Sequence, residues 1–245
     1  FNVLCEKPMA LNETLAAQML ETAAQTGKTL MIAHCNRFMD LMKVIRDICR
    51  SGELGAVRSA EFQREGGHRQ PMGWNNWFRD GRLSGGAMLD LHVHDVDIIN
   101  WLFGMPESVS AVAANVIPGS GYDSMSVNYQ YSNGVFVHAS CDWTIVNDQF
   151  NTRVTRVNFE KGYVYCDRTA GRQAFIKMSE DGTATDLSAA LKSDFFYNEI
   201  MYYVDCLQNG RRVEHCPPEE SIKAIRLVMA EMASADRGGE KVSLT

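Results

Sequence analysis

The chain has 245 residues, 45% of them hydrophobic and 22% charged, enough to bury a sizeable core without disulfides or a structural metal. A formal net charge of -6 leaves no broad basic face, which argues against nucleic acid or anionic lipid as a partner and for a small molecule. No apolar run approaches the roughly 20 residues that span a bilayer and no signal-like segment opens the chain, so no membrane association and a cytoplasmic location are expected.

In chain order, FNVLC is a short apolar strand followed by the turn residue Pro8. Asn12 caps a helical stretch, LNETLAAQMLETAAQTG, that stops on Gly27. TLMIAHC (29–35) is a continuous apolar run of the kind buried in a parallel sheet, so residues 1–35 read as one βαβ unit. A single such unit leaves its flanks bare, and further strands of the same sheet are expected before Phe1. FMDLMKVIRDICRSGELG places Met39, Met42, Ile45 and Cys49 at helical spacing and ends at Gly52 and Gly55. VRSAEFQRE alternates like a strand, and the long loop GGHRQPMGWNNWFRDGRLSGG that follows has the length of a functional one.

From Glu107 to about Leu187 the reading is nearly all strand. YDSMSVNYQY and GVFVHASCDWTI flank Ser132-Asn133-Gly134, a hairpin signal, and Lys161-Gly162 and Asp181-Gly182 mark further turns. Along the second strand Val135, Val137, Ala139, Cys141 and Trp143 share one face, and Phe136, His138, Ser140, Asp142 and Thr144 share the other. Two helices close the chain, SDFFYNEIMYYVDCLQNG and, after Pro217-Pro218, EESIKAIRLVMAEMASA. The seven cysteines form no CxxC pair and are expected as reduced thiols, with Cys5, beside Glu6 and Lys7, the one candidate nucleophile.

The chemistry concentrates in DLHVHDVDIINWLFG. As a helix it gathers Asp90, His94, Asp97 and Trp101 within one arc and turns His92 and Asp95 away. As a strand, Asp90, His92 and His94 would share a face and resemble a divalent metal site. Length and the lack of turn residues from Ala87 to Phe103 favour the helix, on which His92 and His94 cannot grip one ion, so no metal is expected. Taken alone, Asp90 and His94 could equally be a buried hydrogen-bonded pair with no catalytic role.

CEKPMAL after a strand, a helix, a second strand ending in HCNRF, then WFRDGRLSGGAMLDLHVHDVD resembles, in order and spacing, the Gfo/Idh/MocA family of NAD(P)-dependent sugar and cyclitol oxidoreductases. The resemblance implies that Lys7, Asp90 and His94 line the substrate pocket as catalytic residues. It implies cofactor contacts from Glu6, Lys7 and Pro8, and extends them to Trp77 and Arg79 in the segment that closes over the nicotinamide. Asn36-Arg37, after the strand TLMIAHC, is a further candidate to reach the cofactor or the substrate, with a structural salt bridge of Arg37 as the alternative. His138 and Trp143 are candidates to border the substrate, with core packing the alternative for Trp143. The chemistry fits: His94 has the residue type of a base for a hydroxyl proton, Asp90 one turn away could orient it, and Lys7 could donate to the reacting oxygen.

Two departures from the family pattern stand out. No Gly-rich phosphate loop is present: GSGYDS (119–124) lacks the third glycine and precedes a hairpin, so it reads as a loop. His92 and Ser84 replace frequent glycines, and His92 is expected either to shape a subfamily's pocket or to be a surface residue, with the surface favoured.

The expected architecture is α/β plus α+β. The C-terminal part of a Rossmann domain (1–37) precedes an α+β domain (38–245) whose open, mainly antiparallel β-sheet is covered by helices on one face, with closing helices within 193–235. The expected activity is hydride transfer between NAD or NADP and a sugar, cyclitol or related polyol, with residues 1–245 alone inactive for want of a phosphate anchor. A non-catalytic sugar-binding or assembly module and a metal-dependent hydrolase using His92 and His94 are the competing classes. A homo-oligomer paired through the open sheet face is expected, because apolar hairpin residues would otherwise form an exposed patch.

Overall fold

The computed structural model describes residues 1–67, 74–146, 151–169 and 171–244. Strand β1 (Val3–Glu6) pairs in parallel with β2 (Leu30–Ala33), and α1 (Glu13–Thr26) makes the crossover. The signals that delimit α1 act as their chemistry dictates. Asn12 Oδ1 accepts from the Leu15 N–H at 2.9 Å, and Gly27 ends the helix with φ 62°, a conformation that favours glycine. A 3-10 turn (Cys35–Phe38) then leads into α2 (Asp40–Ser51), which buries Leu41, Met42, Ile45 and Ile48.

The rest is built on one sheet of nine strands: β3 (Val57–Gly67), β4 (Ser108–Ala114), β5 (Ser124–Gln130), β6 (Phe136–Ile145), β7 (Asn151–Phe159), β8 (Gly162–Asp167), β9 (Ala174–Ser179), β10 (Ala184–Asp186) and β11 (Val242–Ser243). Their order is β10-β9-β8-β7-β3-β6-β5-β4-β11, and only β3 and β6 run parallel. A parallel neighbour needs a long connection, and the chain between β3 and β6 provides it. It carries a short helical turn at Trp74–Arg79, the one-turn helix α3 (Gly81–Ser84), a π-helical turn at Met88–His92, helix α4 (Val93–Phe103), and the strands β4 and β5. Residues 68–73, part of the long polar loop, lie outside the described residues.

Helices α4, α5 (Phe195–Gln208) and α6 (Pro218–Ala235) follow the expected pattern of helices on one side. Phe62, Val127, Val137, Ala139, Val157, Val164 and Phe175 point from the sheet into one core with Val96, Ile99, Leu227 and Val228. Each Val, Ile, Leu or Phe among them contributes roughly 1.5–3 kcal/mol when buried. The same core takes in Ala16, Leu30 and Ile32, so the opening βαβ unit packs directly against α6.

The open face differs from the apolar patch expected of it. The apolar face of the hairpin, Val137, Ala139, Cys141 and Trp143, is buried under the helices. What remains outside is a polar cross-strand row, Asn128, His138, Glu61 and Arg156, in which Arg156 and Glu61 form an ion pair at 2.8 Å. Phe136 (58% exposed), Val112 (57%) and Tyr163 (37%) are exposed apolar groups on that face, and the row continues beyond Arg156 to Tyr165 and Ile176.

Candidate active site

Lys7 follows the carboxyl end of β1, the edge at which α/β sheets present ligands. Its ammonium donates to the Asp90 carbonyl oxygen at 2.6 Å and to Asp90 Oδ1 at 3.0 Å. Both side chains keep about 15% of their surface in the open, Lys7 14% and Asp90 15%. His94 is mostly buried, and its Nδ1 has no hydrogen-bond partner. Burial first, and then the nearby charges of Arg64 and Lys7, hold its pKa well below 6.5. The ring is therefore neutral at pH 7, a form that can accept a proton.

Asp90 thus holds Lys7, where the sequence suggested that it would orient His94. The cause is the π-helical turn at Met88–His92, which replaces the plain α-helix expected from Ala87 onward. A π turn takes more residues than 3.6, so positions four apart no longer stack.

His92, expected at the surface, is fully buried. Its Nε2 lies 3.2 Å from the Tyr129 hydroxyl and 3.2 Å from Glu231 Oε2, and the same hydroxyl donates to Glu231 Oε1 at 2.7 Å. His92 thereby ties the π turn to β5 and α6, and it faces a different environment from His94. Among the described residues no three His, Cys, Asp or Glu side chains converge as a metal site.

Ser84 has an equally local reason. Its hydroxyl donates to the Phe78 carbonyl at 3.0 Å and accepts from the Gly86 N–H at 3.0 Å, closing the turn before the Asp-His segment. The loop at 119–124 docks on that turn: Gly81 N–H donates to the Gly119 carbonyl and Ala87 N–H to that of Tyr122. A Cβ on Gly86, whose φ is 72°, would lie 2.7 Å from the Ser120 carbonyl oxygen, so glycine is required there.

The remaining candidates divide. Arg37 is 1% exposed, and its guanidinium grips Asp97 through two bonds of 2.8 and 2.6 Å, the salt-bridge alternative. His34 lies beside that pair, and burial pushes its pKa down to about 4. Glu6 is exposed and Pro8 partly buried, next to Lys7. Trp77 and Arg79 are partly buried in the turn before the Asp-His segment, with Trp77 edge-on to Phe78 at 5.2 Å. His138 and Trp143 are not brought to Lys7. His138 lies on the open side of the sheet, bonded to Asn128 at 3.0 Å, while Trp143 is in the core and donates to Asp123 Oδ1 at 2.7 Å. The Cys5 thiol is pushed up by burial and by Glu6, which removes the activation a nucleophile needs.

Several charged groups near Lys7 escaped the sequence reading. Arg64 grips Asp95 through two bonds of 2.6 Å beneath α4, and Arg153 and Arg168 lie beside it. Glu199 of α5, 2% exposed, has a carboxyl raised to about 8 by burial and by Glu6. A signal existed: Arg64 alternates in phase with buried Ala60 and Phe62, and Glu199 shares a helical stripe with buried Tyr203 and Cys206.

Residues 42–165 match the family model described as the GFO/IDH/MocA C-terminal domain. The chain belongs to this family. Its relatives include trans-1,2-dihydrobenzene-1,2-diol dehydrogenase of Mus musculus, 35% identical over 156 residues, which cover 61% of this chain and 44% of that protein. The enzyme of the same name from Oryctolagus cuniculus is 31% identical over 242 residues, 95% of this chain and 71% of the relative. The matches to the first relatives thus span less than half of their length, 44% and 41%. Among solved structures, aldose-aldose oxidoreductase from Caulobacter crescentus complexed with glycerol has a TM-score of 0.86 at 22% identity, covering 99% of this chain and 72% of the other. Levoglucosan dehydrogenase in complex with NADH and levoglucosan has a TM-score of 0.85 at 14% identity, covering 99% and 73%. At these identities the structures share the fold of the family. No helix among the described residues is long and apolar enough to cross a membrane.

Proposed function

We propose that the protein carrying this chain moves a hydride between NAD or NADP and a hydroxyl-bearing carbon of a sugar, cyclitol or related polyol. The observation that carries this reading is the Lys7-Asp90 pair at a strand's carboxyl end, beside a neutral His94 with a free Nδ1. The residues suit the reacting end of a dinucleotide: a partly open ammonium stands past the carboxyl end of β1, and its charge reaches a buried base. The pyrophosphate has no such cradle in the loop at 119–124, which is engaged in holding the Asp-His turn. Names of family members support the cofactor and substrate class, since levoglucosan dehydrogenase was solved with NADH and levoglucosan.

When bound, the nicotinamide supplies the hydride acceptor. His94, kept neutral, takes the hydroxyl proton as the carbon is oxidised. Lys7, held in place by the backbone carbonyl and Oδ1 of Asp90, donates a hydrogen bond to the reacting oxygen. Glu6 and Pro8 shape the nicotinamide side, and Trp77 and Arg79 belong to the segment that covers it. The test is a panel of sugars and cyclitols with each dinucleotide, read by formation of the reduced cofactor. Turnover of a panel member should fall by about 10²-fold or more in His94→Ala and in Lys7→Ala with melting curves unchanged. Sugar binding without turnover by either dinucleotide would make the protein a binding module, and unchanged turnover in both variants would move the chemistry elsewhere.

A further inference from the structure

Three arginines stand side by side on the inner face of the sheet. In the strand register Arg64 of β3 lies opposite Arg153 of β7. The backbone N–H of Arg168, just past β8, donates to the Arg153 carbonyl at 2.8 Å. Each continues a buried stripe, Arg64 after Phe62, Arg153 before Thr155 and Arg168 after Cys166. Like charges directly opposite one another destabilise a sheet, and a buried cation without an anion is costlier still.

Among the described residues one carboxylate is bonded to the cluster. Asp95 binds Arg64 through both oxygens at 2.6 Å, and both are thereby used. Arg153 Nη1 donates only to neutral carbonyls, those of Glu65 at 2.9 Å and Thr152 at 2.8 Å. Arg168 Nη1 reaches the Met39 thioether at 3.5 Å, a weak acceptor for a guanidinium. Among the described residues neither Arg153 nor Arg168 has a carboxylate partner. Three guanidiniums against one carboxylate leave two positive charges in a mostly buried cluster, and burial with Arg64 as neighbour pushes Arg153 down to about 10.

The cluster adjoins His94: Arg64 grips Asp95, the next residue of the chain, through both of its oxygens at 2.6 Å. His94 accordingly feels the charges of Arg64, Lys7 and Arg153. We propose that Arg153 and Arg168 form an anion subsite of the substrate pocket, so that the substrate is a polyol or sugar bearing a carboxylate or a phosphate ester. The proposal rests on the hydride-transfer reading for the word substrate, though not for the binding. A guanidinium fork matches either anion with two parallel hydrogen bonds, and the anion relieves the repulsion among the arginines. A neutral polyol leaves both forks without a charged acceptor, which is how a site built for a polar group rejects the analogue that lacks it.

Calorimetry on the full protein, with dinucleotide present, compares hexoses with their uronates and their 6-phosphates. At least one anionic member should bind about 10²-fold more tightly than its neutral hexose, and the uronate and phosphate arms tell which anion is used. Arg168→Gln should reduce that preference at least tenfold while the melting temperature holds or rises, because a crowded charge has been removed. Arg168→Lys should retain part of it. Equal binding of neutral and anionic members, binding of none, or an Arg168→Gln protein that melts lower with its preference intact overturns the proposal. Absence of turnover with every member sinks the hydride-transfer reading instead, because calorimetry still reads the anion preference.

Discussion

At position 94 burial decides the protonation state. A free imidazole is half charged near pH 6.5, and the buried ring beside Lys7 and Arg64 charges only well below that. The base form therefore exists above the lowered pKa and is lost as the pH falls through it. For alcohol oxidation, kcat/KM should stay level from pH 7 down past 6.5 and decline only in more acid solution. A profile that breaks at or above 6.5 would assign the base to another group. Asp90→Asn belongs to the same scale. Its backbone carbonyl and amide oxygen can both still accept from Lys7, so kcat/KM should fall by less than about tenfold, against about 10²-fold or more for Lys7→Ala. Lys7, Asp90 and His94 could be singled out from residue type, order and spacing, and the structure brings Lys7 and Asp90 into contact. That Asp90 serves Lys7 was hidden, since it depends on a strand end and a helical turn 83 residues apart meeting in space.

At the scale of elements, both ends of the βαβ unit, the hairpin and the closing helices could be read from period and turn chemistry. The π-helical turn could not, because nothing in MLDLH distinguishes it from α-helix. It is held from outside, by the His92, Tyr129 and Glu231 cluster below it and by the loop at 119–124 beside it. Glu231 and Ser234 lie in phase with buried Leu227 and Val228, the trace such a cluster leaves in a sequence. Tyr129 is the shared member. Tyr129→Phe keeps the packing and removes the hydroxyl that donates to Glu231, leaving a buried carboxylate oxygen without its partner. Chemical denaturation should show a loss of about 1–3 kcal/mol. The turnover deficit, if the π turn positions Asp90, should appear in kcat more than in KM. A variant as stable and as active as wild type would reduce the cluster to filler.

For the whole molecule, two buried groups oppose each other in pH. His34 has its pKa lowered to about 4 from 6.5, so the unfolded chain takes up the proton first and stability is lost as pH falls from 6.5 toward 4. Glu199 has its pKa raised to about 8 from 4.5, chiefly by burial and then by Glu6. Between those values the unfolded chain has released a proton that the folded chain keeps, so stability is lost as pH rises from 4.5 to 8. The shift corresponds to roughly 4 kcal/mol at pH 8. None of this was visible in the sequence, where Glu199 is one carboxylate among many and its burial between α5 and the turn at Cys35–Phe38 is a property of the assembled fold. Glu199→Gln preserves the neutral shape and abolishes the charging cost. The variant should match wild type near pH 4.5 and melt several degrees higher at pH 8, where its stability no longer declines, while the acid-side loss from His34 and His94 remains. A melting-temperature difference that is the same at both pH values would mean that the carboxyl is ionised in the folded protein and that its charge is balanced by something other than burial.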